Sequence, residues 1–86
     1  MESTLLLVYN DIINHGDITL RAIHPKQWKK TRKAISFKLA DGENTNYIAV
    51  SIPSGLPLIF KENLLALVQE VCYKYNFSSV TVTEQE

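Results

Sequence analysis

The residues of this chain best suited to chemistry with a partner form one run, His24-Pro25-Lys26-Gln27-Trp28-Lys29-Lys30-Thr31-Arg32-Lys33. Five cations in ten residues surround the only tryptophan. Lys and Arg bind phosphate backbones with release of counterions, and an indole can stack on an unpaired base. Interleaved cations and an aromatic ring are therefore the residue types that contact with a nucleic acid needs. On this reading the partner-binding residues are Arg21, Lys26, Trp28, Lys29, Lys30, Arg32 and Lys33, with Lys38 and Tyr47 as outliers on a neighbouring sheet face. The plainer reading is a solvated basic segment in which Trp28 packs over the edge of the core and the cations keep that edge hydrated.

The formal net charge of zero hides a marked asymmetry. Seven of the nine Lys and Arg residues fall within 21–38, whereas no Asp or Glu occurs within 18–40. Charge distributed in this way says more about partners than the net value does. It favours an anionic partner, either a nucleic acid or an acidic protein surface.

Residues for catalysis or metal binding are sparse. His15 and His24 lie in turns by this reading, separated by a whole element, with no Cys or carboxylate at ligand spacing. A zinc or iron site needs three or four convergent donors. Cys72 is the only cysteine, so no internal disulfide forms, and the residue falls on an apolar helical stripe where a thiol acts as a small hydrophobe. No nucleophile elbow, zinc-protease or P-loop pattern is present. Gly16, Gly42 and Gly55 are scattered one to a turn and make no phosphate cradle. The expectation is a chain that is not an enzyme and holds no cofactor and no metal.

The element that the rest of the chain must cover is 60–75. Phe60, Leu64, Leu67, Val68, Val71, Cys72 and Tyr75 line one stripe of a helix, with Lys61, Glu62, Asn63, Gln69, Glu70 and Lys74 on the other side. Leu5, Val8, Tyr9, Ile12 and Ile13 repeat with the same period, which predicts a first helix over 4–14. A short strand is the rival there, because 5–9 is an apolar run. Gly16 is placed to end that helix in a left-handed conformation.

The segment 17–23 alternates as Ile18, Leu20, Ala22 and predicts a strand. Basic 26–33 has no clear period and reads as a loop or as a turn or two of helix begun at Pro25. Ile35, Phe37 and Leu39, then Ile48, Val50 and Ile52, predict two strands of a hairpin turned at 41–44. Pro53 and Pro57 bound a linker, Asn76 is placed to cap the long helix, and Val80 and Val82 predict a last strand.

Together these give one small α+β domain over 1–86. The expected architecture is a two-layer sandwich of order α-β-β-β-α-β, with a mostly antiparallel four-stranded sheet and two helices on one face. The other sheet face would carry Thr19, Arg21, Ser36, Lys38, Tyr47, Ala49, Ser51, Thr81 and Thr83. No apolar run approaches the roughly 20 residues of a membrane-spanning helix, and the first residues lack the basic start of a signal peptide. With the single thiol, this leads us to expect a cytoplasmic protein with no membrane association.

The function expected is a non-enzymatic binding module that captures an anionic partner, nucleic acid being favoured. The alternative is a protein–protein inhibitor, antidote or adaptor acting by surface complementarity. Leu58, Leu65 and Tyr73, off the main stripe, are candidates for a contact between copies of the chain.

Overall fold

The structure, a computed structural model, describes residues 2–39 and 47–85. The helix predicted near the N-terminus forms but runs further, as α1 over Glu2–Ile18, followed after Thr19 by the single turn α2 over Leu20–Ile23. The strand expected over 17–23 is therefore helix. The apolar stripe of α1 continues through it: Val8, Ile12, Gly16 and Leu20 are each four residues apart and all buried. The alternation of Ile18, Leu20 and Ala22 is incidental, since Ile18 is 73% exposed and Ala22 also faces out. Thr19 keeps the chain helical, its amide donating to the His15 carbonyl at 2.8 Å and its hydroxyl donating to the same oxygen.

Gly16 consequently does not end a helix. Positive φ among the described residues occurs at Gly55 and at Asn76 (φ 70°). Asn76 is the left-handed cap its position implied. The next amide, that of Phe77, donates back to the Cys72 carbonyl at 3.1 Å and closes the helix end.

The basic segment forms α3, Pro25–Ala34, with proline in the first turn where its missing N–H costs nothing. Its buried residues are Trp28 and Thr31, one turn apart. The long helix is α4, Leu58–Lys74. Phe60, Leu64, Val68, Val71 and Cys72 are buried along it, while Leu67 and Tyr75 flank the core half-buried.

Among the described residues three strands form, where four were expected: β1 (Ser36–Leu39), β2 (Tyr47–Pro53) and β3 (Ser79–Gln85), in the order β1-β2-β3. The hairpin pairing holds, β1 running antiparallel to β2 with Phe37 opposite Val50. Its turn at 41–44 lies outside the described residues. β3 is parallel to β2, with Val50 opposite Val82. The expected mostly antiparallel sheet is thus a mixed one, because α4 acts as the crossover that a parallel pair requires. The element order is α-α-α-β-β-α-β. The α+β class holds, but the strand count, the strand directions and the place of 17–23 differ from expectation.

Ile48, Val50 and Ile52 of β2 are fully buried, and Phe37, Leu39, Val80 and Val82 join them from the outer strands. The other face carries Ser36, Lys38, Tyr47, Ala49, Ser51, Thr81 and Thr83. Thr19 and Arg21 are absent from it, since both belong to the helical segment.

Candidate basic interface

An α-helix brings residues three and four apart onto one face. In α3 that rule gathers Lys26, Lys29, Lys30 and Lys33 into one exposed stripe. Opposite the stripe, Trp28 and Thr31 face the core and are inaccessible to solvent. The helix contains no acidic residue, so Lys26–Lys30 and Lys29–Lys33 are repulsive pairs, each costing about 0.2–0.5 kcal/mol. Arg32 and Lys33 in the last turn suit the helix dipole, whereas Lys26 near the start opposes it.

Trp28 is not the exposed stacking group of the first sequence reading. Its ring is 0% exposed and rests on the backbone of Gly16. Its indole N–H donates to Asp17 Oδ1 at 2.8 Å. Arg32 meets the same carboxylate, its Nε donating to Oδ1 at 3.1 Å and its Nη2 to Oδ2 at 3.3 Å. The indole hydrogen bond, with the nearby Arg32 charge, holds the Asp17 carboxyl below its ordinary 3.8 despite partial desolvation. Asp17 thus fastens α3 to the end of α1. Burial of the indole stabilises the fold by roughly 4–5 kcal/mol as an upper estimate from its area. The plainer sequence reading, with Trp28 turned inward, describes what the ring does.

The cations divide by location. Arg21, Lys29, Arg32 and Lys33 line one open groove of about 470 Å³ together with Asp17 and Pro25. Asp17, already engaged by Trp28 and Arg32, is the only acidic residue among those lining it. Lys26 and Lys30 continue the cationic surface along α3. Among the described residues, Lys26, Lys29, Lys30 and Lys33 make no salt bridge; the three pairs present are Arg32–Asp17, Lys61–Glu84 and Lys74–Asp11. Lys38 and Tyr47 belong to the sheet face instead. Lys38 borders a separate depression of about 320 Å³ with Ser36, Ala49, Ser51 and Thr83, and no described cavity joins it to the basic groove. The alternation that predicts a strand over 17–23 hides the role of Asp17, which sits at its first position. Continuing the four-residue stripe through Gly16 would have exposed its helical setting.

The residues considered for catalysis have structural surroundings. Cys72 is buried in the core, and desolvation pushes its thiol up to about 11, which suppresses the thiolate a nucleophile needs. His15 is exposed in the last turn of α1. His24 is not the solvent-exposed turn residue expected. It is half-buried between α2 and α3, its ring edge against Phe60 at 5.4 Å. No group of three or more His, Cys, Asp or Glu able to hold a metal ion occurs among the described residues. No helix among them is long and apolar enough to cross a membrane.

Comparison of the chain with protein-family models, curated proteins and solved structures finds no match.

Proposed function

We propose that this protein is a non-catalytic binding module that captures an anionic partner on the exposed face of α3. One observation carries the reading: Arg21, Lys29, Arg32 and Lys33 converge on a groove whose single carboxylate is already committed. A surface that accepts uncompensated repulsion between its own lysines sacrifices some local stability, and an incoming polyanion relieves that repulsion. Lys26 and Lys30 extend the contact, and Lys38 and Tyr47 are secondary positions on the sheet face.

Nucleic acid is the favoured partner, held through its phosphates. With the indole sealed in the core, capture proceeds by charge and counterion release, with no base stacking on Trp28. That makes binding tolerant of sequence. A protein inhibitor, antidote or adaptor that docks on an acidic protein surface is the second reading, supported by the same absence of an exposed aromatic on α3.

The test is fluorescence anisotropy of labelled single-stranded and duplex oligonucleotides at two salt concentrations, with poly-glutamate as a competing probe. Phosphate capture predicts affinity that falls steeply with salt. The log–log slope should lose about one unit for each of Lys29→Ala and Lys30→Ala. No binding of either oligonucleotide at low salt would reject nucleic acid. Binding of poly-glutamate alone would favour the acidic-protein reading.

A further inference from the structure

The two outer strands of the sheet present different edges. β1 is four residues long, carries Lys38 and is flanked by α1 through the edge contact of Tyr9 with Phe37. A short, charged edge discourages pairing with another strand. β3 spans seven residues, of which Ser79-Val80-Thr81-Val82-Thr83 are uncharged and strand-forming. Among the described residues, no strand pairs with its outer edge.

The helix above that edge carries two leucines on the same side. The Lys61–Glu84 ion pair, at 2.7 Å, fixes which flank of α4 overlooks β3, while the Lys74–Asp11 pair marks the opposite flank, against α1. At about 100° per residue, Leu65 and Leu58 follow Lys61 round the β3 side. Leu58 is 69% exposed, and Leu65 is half-buried. Beneath them Val80 and Val82 are also only half covered.

We propose that β3 pairs antiparallel with β3 of a second copy of this chain, about a two-fold axis at Thr81, to give one six-stranded sheet. The strand is complementary to itself. In this register Thr81 faces Thr81, Val80 faces Val82 and Ser79 faces Thr83, so valines meet on the helix side and hydroxyls on the open side. Moving the axis to Val82 would set Glu84 against Val80 on the apolar side, so charge selects the register. α4 runs back along β3 from Lys61 beside Glu84. At about 1.5 Å per helical and 3.3 Å per strand residue, Thr81 is level with roughly residue 68. The two-fold axis therefore brings the Leu65 flanks of the two copies together, about 9 Å apart along the strand direction. The interface is separate from the basic face of α3 and stands independently of it.

Sedimentation equilibrium of the full chain tests this from micromolar to near-millimolar concentration. The expected result is a monomer–dimer equilibrium. Thr81→Lys, which brings two ammonium groups together at the axis, should weaken it about tenfold or more while leaving the helical circular dichroism unchanged. Thr81→Cys should form an intermolecular disulfide on mild oxidation, and Thr83→Cys should do so much more slowly. A wild-type chain that stays monomeric throughout would overturn the proposal. So would a dimer that survives Thr81→Lys, or equal cross-linking at positions 81 and 83.

Discussion

The indole of Trp28 lies so close to the backbone of Gly16 that a β-carbon at position 16 would overlap its benzenoid ring, coming within 2.7 Å even of Cε2. Glycine is required there by contact and not by backbone conformation. That one approach lets α3 close onto α1 and turns the lysines of α3 outward as a set.

Gly16→Ala should therefore act like overpacking, in spite of alanine's better helix propensity. We expect a loss of about 3 kcal/mol, read from the urea midpoint. Trp28→Leu in the Gly16→Ala background should cost less than the two single effects summed, because both residues occupy the same space. Full additivity would show that the indole does not rest on this helix.

Thr31 predicts the opposite sign. Its side chain is fully buried on α3, and its hydroxyl has no hydrogen-bond partner. Thr31→Val keeps the shape and removes the unsatisfied group. It should be neutral or stabilising by up to about 1 kcal/mol. A destabilisation of that size would mean that the hydroxyl has a partner in solution.

Acid stability should depend on two carboxylates. Asp11 accepts the Tyr75 hydroxyl at 2.7 Å and Lys74 Nζ at 3.1 Å. The tyrosine hydrogen bond, then that of Lys74, holds it below 3.8, with His15 adding a weaker attraction. Asp17 is lowered by Trp28 and Arg32, with a smaller contribution from Arg21. A carboxyl with a lowered folded-state value favours the fold above its ordinary value and loses that contribution as pH falls through the lowered one. Stability should thus be flat between about pH 5 and 7 and decline below about pH 4. In Asp17→Asn the decline should be shallower, as judged by thermal melts from pH 2 to 7. An identical slope in that variant would exclude Asp17 as a contributor.

Cys72 should resist alkylation. Its buried, desolvated thiol should react with iodoacetamide far more slowly than in urea-unfolded chain, at a rate set by opening of the core. Equal rates in native buffer and in urea would show that α4 does not cover it.

The sequence by itself determined the elements whose apolar spacing was unbroken. The stripe of Phe60, Leu64, Val68 and Val71 specified α4, the alternation in 35–39 and 47–52 specified the hairpin, and Asn76 marked the helix end. It also determined the charge asymmetry on which the functional proposal rests. Only the tertiary structure decided 17–23, because the stripe of Val8, Ile12, Gly16 and Leu20 that continues α1 competes there with a local alternation that suits a strand, and Trp28 packed over Gly16 settles the competition. Likewise, no local pattern distinguishes an indole that stacks on a partner from one that anchors a helix. The space beside Gly16 and the carboxylate of Asp17 decide it, and both are brought to Trp28 only by folding.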